Sequence, residues 1–307
     1  MNRTNLALTA AAMSGLVVGA ATVATGSIVS EIGPVTIAFC RYLIGVLLLL
    51  PFAVRIRWTP VSPRDFVLIL LFGIFQFAIL IILLNFSVIY IAVGLAVLIF
   101  ASLPLLTMAL AIMLGREQFT YRKLTGIVLT IVGVGFAVGA TAFVQDIGSM
   151  GWVGIGAALL SAFLGALCSV LYGAYMPRYP TLQISTMAMG CAVVFLFGLA
   201  VMEGMIDAVP GFSTMTWIIL SFIGFSSAVG YFCWLFALAY IPPSNVTVFL
   251  GLSPITASIL GALFIAQPLS VQDLIGAALV ITGLVISLWR KEDADAISAN
   301  SLNATDD

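Results

Sequence analysis

Residues 102–133 read SLPLLTMALAIMLGREQFTYRKLTGIVLTIVG, and residues 252–283 read LSPITASILGALFIAQPLSVQDLIGAALVITG. Laid over each other without a gap, at a constant offset of 150, they bring Pro104 onto Pro254. Gly126 and Gly133 fall on Gly276 and Gly283, and Leu124, Leu129 and Ile131 fall on Leu274, Leu279 and Ile281. The same register extends over Phe86–Gly139 and Phe236–Trp289, adding Phe86 on Phe236, Tyr90 on Tyr240 and Ile91 on Ile241. Five of these nine identities sit on proline, glycine and aromatic positions, which constrain the backbone or fill a defined space. Two copies of one unit in a single chain are the reading from which the rest proceeds.

The medium is set by composition. Of 307 residues, 63% are hydrophobic and 7% charged, and the mean hydropathy of +1.24 excludes a soluble domain. Backbone crossing lipid must satisfy its own amides, so the spans are helices or a closed barrel. The apolar runs persist for roughly 20 residues on all faces, the length of a helix rather than of an alternating strand. The expected fold is an all-α polytopic membrane protein with ten transmembrane helices. They fall at Leu6–Ile28, Pro34–Val54, Phe66–Ile89, Val93–Leu114, Leu124–Val144, Trp152–Tyr175, Thr181–Val201, Thr214–Ala239, Ser244–Ile265 and Leu274–Trp289. The first resembles a signal peptide in its Arg3 and its small residues, but its apolar run is too long for one and it is read as a retained helix.

Basic residues orient the chain. With a cytoplasmic N-terminus, Arg55, Arg57, Arg64, Arg116, Arg122, Lys123 and Arg178 lie in inner loops, with Arg3, Arg290 and Lys291 at the ends. The outer loops then hold no Lys or Arg, only Glu31, Asp146, Glu203, Asp207 and Asp273. Five spans per copy is an odd number, so the second copy enters the membrane in the opposite sense. The expectation is two inverted five-helix repeats, residues 1–144 and 145–290, followed by a disordered cytoplasmic tail over 291–307. Such a repeat gives one chain two conformations related by exchanging the roles of its halves, the basis of alternating access. The net charge of −1 gives no reason to expect a nucleic-acid partner.

The same residues resemble the EamA-type family of the drug/metabolite transporter superfamily. The pieces that carry the resemblance are Gly33-Pro34 with Ala38-Phe39-Cys40-Arg41-Tyr42, Ser102-Leu103-Pro104-Leu105-Leu106, Gly115-Arg116-Glu117, and Leu124-Thr125-Gly126 through Gly133. In the second half they are Ala239-Tyr240-Ile241-Pro242, Leu252-Ser253-Pro254, and Gly276 through Gly283. Two departures stand out. Ala266-Gln267-Pro268 replaces the usual glycine–glutamate–proline, so the acidic position filled by Glu117 is an amide in the second half, and an early tryptophan is absent from the first span. The resemblance implies an inner-membrane protein that exports or exchanges small organic metabolites, often amino acids or their relatives, through a central cavity.

Within that frame the candidate substrate-binding residues are Arg41, Gln76, Asn85, Ser102, Tyr231, Trp234 and Ser253. Arg41 is the one ionisable side chain well inside a predicted span, where a charge costs about 2.5–3.5 kcal/mol on insertion scales. Its guanidinium suits a substrate carboxylate or phosphate. The structural alternative is that it snorkels to Glu31 or to helix-end carbonyls. Ser227, Tyr231 and Trp234 recur on one helical face, and aromatics with a few polar groups suit a zwitterion with an apolar side chain. Gln76 and Asn85, nine residues apart, point to opposite faces of a straight helix. Pro104 and Pro254 free the carbonyls of Phe100 and Leu250, so they are read as paired breaks and hinges, against the plainer reading of packing kinks. Tyr172 and Tyr175 are assigned to the interfacial belt, and Glu117 to charge balance at a helix end. Gly135 and Gly139 form a GxxxG pair read mainly as close packing within the chain, with a homodimer contact as the lesser reading.

No catalytic residue, metal or cofactor is expected. There is no His, no carboxylate within a predicted span, and Cys40, Cys168, Cys191 and Cys233 show no metal-ligand spacing. An intramembrane enzyme would need groups of that kind. A non-transporting scaffold or sensor is the other alternative. The expected partners are a small-molecule substrate and the lipid bilayer. Without a buried carboxylate, facilitated diffusion or exchange is expected in preference to tight proton coupling.

Overall fold

The computed structural model describes residues 3–28, 31–91, 93–138, 150–176, 178–264 and 271–288. The tail over 291–307, Asp146, Gly139 and Ala266-Gln267-Pro268 lie outside them. Every regular element among the described residues is helical: α1 (Arg3–Gly26), α2 (Pro34–Ala53), α3 (Pro63–Gly73), a π-helical turn (Ile74–Ile79), α4 (Leu80–Tyr90), α5 (Val93–Phe100), α6 (Leu103–Met113), α7 (Tyr121–Val138), α8 (Gly151–Tyr172), α9 (Thr181–Met202), α10 (Met205–Ala208), a 3-10 turn (Val209–Gly211), α11 (Thr214–Leu238), α12 (Pro243–Val248), a second 3-10 turn (Phe249–Gly251), α13 (Leu252–Phe264) and α14 (Val271–Leu288).

Eight segments among the described residues are long and apolar enough to cross a membrane: Arg3–Gly26, Pro34–Ala53, Pro63–Ser87, Leu95–Met113, Gly151–Tyr172, Thr181–Met202, Thr214–Leu238 and Pro243–Leu263. The protein is therefore a multi-pass, all-helical membrane protein. Local chemistry sets several starts. Pro34 and Pro63 open α2 and α3 at positions that need no amide donor. Ser62 and Ser213 cap α3 and α11 by accepting from the amides of Asp65 (3.2 Å) and Thr216 (3.1 Å). Large apolar side chains such as Phe52, Val194 and Leu263 point outward, as they do when the solvent is lipid and hydrophobicity no longer drives helices together.

Small residues hold the bundle instead. A Cβ added to Gly126 on α7 would lie 2.5 Å from the carbonyl oxygen of Gly283 on α14, and one on Gly283 would lie 2.6 Å from the oxygen of Gly126. Two turns along, a Cβ on Gly133 would lie 2.8 Å from the oxygen of Gly276. α1 packs against α11, α13 and the turn at Phe249–Gly251, while α8 packs against α4, α5 and α6. In α1, Gly15 and Gly19 admit the carbonyls of Phe249 and Ser253, which a Cβ would approach to 2.2 and 2.4 Å.

α9 is tied at one end to the start of α2 and at the other to the loop between α2 and α3. The Glu203 carboxylate accepts from the amides of Val35 (3.1 Å) and Thr36 (2.6 Å) and from the Thr36 hydroxyl (2.7 Å), filling the free donors at the α2 N-terminus. At the opposite end the Gln183 amide donates to the Thr59 carbonyl (2.9 Å) and accepts from its N–H (3.0 Å). Nearby, Tyr179 donates to Asp65 at 2.6 Å.

Candidate functional site

Eight residues into α2 stands Arg41. Its Nε donates to Ser227 Oγ on α11 at 2.5 Å, and its guanidinium carbon lies 5.4 Å from the ring centre of the adjacent Tyr42. Ser227 passes the bond on by donating to the Ile223 carbonyl at 2.8 Å. Among the described residues the ion pairs are Lys123–Glu117 and Arg178–Asp65, so Arg41 has no carboxylate partner there, Glu31 included. Among the described residues its cation rests on a hydroxyl and a ring face, and its Nη donors have no hydrogen-bond partner there.

From Tyr42 a chain of edge-to-face aromatics crosses the interior. Tyr42 meets Phe77 with ring centres 4.8 Å apart, Phe77 meets Tyr231 at 4.2 Å, and Tyr231 meets Tyr172 at 6.5 Å. Phe72 then packs on Tyr172 at 5.6 Å and on Tyr175 at 6.1 Å. Four parts of the fold contribute, namely α2, the third span, α11 and α8, and such pairs add to area burial. Tyr172 corrects the sequence expectation. It is 1% exposed, donates to the Ile69 carbonyl at 3.4 Å, and belongs to the interior. Its position near a helix end suggested the belt, and only the packing of α8 on α3 reveals otherwise.

The third span bends the expected geometry. Its π-helical turn runs over Ile74–Ile79, where the amide of Leu80 bonds to the carbonyl of Phe75, five residues back. Side chains of α8 track that backbone as a ladder. Ser161 donates to the Leu80 carbonyl at 2.9 Å and Cys168 to the Phe72 carbonyl at 3.8 Å. On the other flank Gly73 lets the Ala188 carbonyl of α9 within 2.3 Å of where a Cβ would be. A π turn adds a residue to one helical turn and rotates the residues beyond it. The opposition of Gln76 and Asn85 expected for a straight helix therefore does not carry over.

Gln76 lies on the π turn beside Phe77, and its Oε1 is buried without a hydrogen-bond partner. The Oγ of Ser102, in the turn between α5 and α6, is likewise buried and unpaired. The Tyr231 hydroxyl is also buried without a hydrogen-bond partner. Leu80 and Leu103 both reach Gly165 of α8, with Cδ1 atoms 3.0 and 2.7 Å from where a Cβ on that glycine would lie. Gln76 precedes Leu80 by one turn, and Ser102 is adjacent to Leu103. Trp234 stands on the same buried face of α11 as Ser227 and Tyr231, each less than a tenth exposed.

Among the described residues, Arg41 and Tyr231 are the expected residues held in this set by a hydrogen bond or a ring contact. Gln76, Ser102 and Trp234 are buried or half-buried without one, and Asn85 and Ser253 stand apart. Asn85 is half-buried on α4. Ser253 lies in the first turn of α13, its carbonyl against Gly19 of α1. Pro104 and Pro254 occupy the first turns of α6 and α13, directly after the interruptions at Ala101-Ser102 and Phe249–Gly251. Both helices are therefore broken at matching places. A cavity of about 330 Å³ bounded by Trp58, Thr59, Pro60, Val61, Phe66, Gln183 and Met187 lies elsewhere, at the end where Gln183 holds Thr59.

Sequence reasoning missed Tyr42, Phe77 and Tyr172. Phe77 carried a signal in its adjacency to Gln76, the sole side-chain amide of that apolar run before Asn85. The others depend on which helices meet.

Comparison with known proteins points the same way. The sequence profile of the EamA-like transporter family matches residues 5–139 and again 152–289. An "Uncharacterized transporter" of Archaeoglobus fulgidus is 25% identical over 264 residues, covering 85% of this chain and 90% of its own. The transporter YetK of Bacillus subtilis, also named as uncharacterized, is 25% identical, covering 94% of this chain and 88% of its own. A Streptantibioticus cattleyicolor protein named "Probable terminal-alkyne amino-acid exporter" is 26% identical, with 75% and 77% covered. A solved crystal structure superposes with a TM-score of 0.76 over 92% of this chain and 96% of its own at 16% identity, a likeness of fold.

Proposed function

The chain belongs to the EamA-like transporter family, and from that premise we propose a secondary transporter that moves small organic metabolites, amino acids or related compounds, by alternating access. Two inverted five-helix repeats, residues 1–144 and 145–290, supply the two states. In this reading α7 and α14 are the fifth and tenth spans, and both termini are cytoplasmic in an inner membrane.

The observation that carries the reading is the reciprocal packing of α7 on α14. At the offset of 150, Gly126 corresponds to Gly276 and Gly133 to Gly283. Gly126 meets Gly283, and Gly133 meets Gly276. Each residue faces the counterpart of the other, the pattern of a self-complementary contact about a two-fold axis. The cross-packing of α1 on α11 and α13, and of α8 on α4 to α6, supports the same symmetry.

The cluster around Arg41 supports the substrate class. A guanidinium that has no acid partner among the described residues suits a carboxylate. The acceptors of Gln76, Ser102 and Tyr231 suit an ammonium or hydroxyl donor, and Tyr42, Phe77, Tyr231 and Trp234 suit an apolar side chain. The name of the S. cattleyicolor relative points to the same class. Pro104 and Pro254 serve as paired hinges, and transport is by facilitated diffusion or exchange. The test is efflux from proteoliposomes loaded with amino acids, nucleosides and organic acids, monitored by mass spectrometry. Selective loss of amino acids is expected. Selective loss of another class overturns the substrate assignment, and no loss of any class overturns the reading as a whole.

A further inference from the structure

The turn after α6 places one carboxylate across the bundle. Gly115 takes φ +67°, a conformation glycine adopts without strain, and the amides of Arg116 and Glu117 fold back onto the Ala111 carbonyl at 2.8 and 3.2 Å. The two side chains then diverge. Arg116 donates to the Val170 carbonyl of α8, while Glu117 crosses to the start of α12. There its Oε1 accepts from the Ser244 amide at 3.0 Å, and its Oε2 from the Ser244 hydroxyl at 2.5 Å. Lys123 of α7 completes the set at 2.8 Å from Oε2, with the Glu117 side chain only 2% exposed. Proline occupies positions 242 and 243, so Ser244 bears the first amide the helix start can offer. A charge-assisted, water-shielded contact thus joins the first half of the chain to the second at one end of the bundle.

The sequence of the other copy does not carry the same three groups. At the offset of 150 the counterpart of Glu117 is Gln267, that of Ser244 is Gly94, and that of Lys123 is Asp273. The carboxylate becomes an amide, the hydroxyl is missing, and the ammonium becomes a carboxylate. We propose that the Glu117–Ser244–Lys123 contact is a one-sided latch that biases the transporter toward the state closed at that end. This rests on the alternating-access reading above. A symmetric pair of gates would leave the two states near balance, and stabilising one closed gate alone shifts the population by its differential strength.

The experiment is electron–electron spin distance measurement on the full-length protein in liposomes. Labels replace Phe119 and Tyr240, both exposed, on either side of the latch. In the otherwise native chain a short distance should dominate. Glu117→Gln keeps the shape and loses the charge, and should raise the ratio of long to short distances about tenfold, the difference between a charged and a neutral hydrogen bond. A second variant leaves Glu117 in place and builds the missing latch with Gly94→Ser, Gln267→Glu and Asp273→Lys. It should likewise raise the long-distance population, by favouring closure at the other end. Unchanged distributions in both variants of a protein that still shows two distances would overturn the latch and leave alternating access standing. A single distance in every variant, with substrate on either side, would overturn both.

Discussion

The carbonyl oxygen of Gly283 lies 2.5 Å from where a side chain on Gly126 would begin, and the oxygen of Gly126 lies 2.6 Å from the matching position on Gly283. Neither helix can thicken here without moving the other. In lipid, where apolar side chains gain nothing by leaving the solvent, this close approach is a main source of helix association.

Gly126→Ala and Gly283→Ala should each therefore destabilise the protein by about 1–3 kcal/mol, the cost of overpacking a fixed contact. The double variant should cost less than the sum, since one separation of the helices relieves both clashes. Thermal unfolding in detergent checks this. Full additivity would mean that the two positions are not in contact.

Arg41 separates binding from folding. Its interior partners are a hydroxyl and a ring, so Arg41→Lys keeps a charge but loses the planar fork that fits a carboxylate. Transport of a carboxylate substrate should fall at least about tenfold, one lost charged hydrogen bond, while insertion and chromatographic behaviour stay normal. If the lysine variant transports normally, Arg41 serves the fold.

Tyr231→Phe removes a buried hydroxyl that has no partner of normal geometry and keeps the ring against Phe77. An unpaired buried polar group costs about 1–3 kcal/mol, so the variant should be at least as stable as the native protein. Its apparent KM should nonetheless rise. A destabilised variant with unchanged KM would show that the hydroxyl supports structure.

Glu203 caps α2 through two amides and one hydroxyl. Glu203→Ala should cost about 1–2 kcal/mol of stability, the usual loss on removing a cap, read as a lowered Tm. Because Gln183 still ties the far end of α9 to the loop after α2 at Thr59, substrate selectivity should be unchanged. A changed substrate profile would place Glu203 in the transport path.

Much of the architecture was legible because it is written in residue types with few substitutes. The glycines that align between the halves are the glycines that touch, and the prolines that align come directly after the two helix breaks. The Ser227, Tyr231 and Trp234 stripe faces the interior, as its spacing of four and three residues indicates. The hidden features depend on contacts between distant parts of the chain. Glu117 meets Ser244 127 residues away, and Glu203 meets Thr36 167 residues away, so neither carboxylate's role can be read from its neighbours. The π turn is a further case. Straight-helix arithmetic placed Gln76 and Asn85 opposite each other, and one extra residue in the turn undoes that arithmetic without leaving a mark in the apolar sequence around it.

Alternating access itself is best put at risk by trans-stimulation in proteoliposomes. Labelled amino acid is trapped inside, and its efflux is timed with and without unlabelled amino acid outside. An alternating-access exchanger returns faster when loaded, so efflux should accelerate when the same substrate is present outside and should not respond to an unrelated sugar. Efflux that is indifferent to outside amino acid, or that accelerates equally with the sugar, would contradict the account.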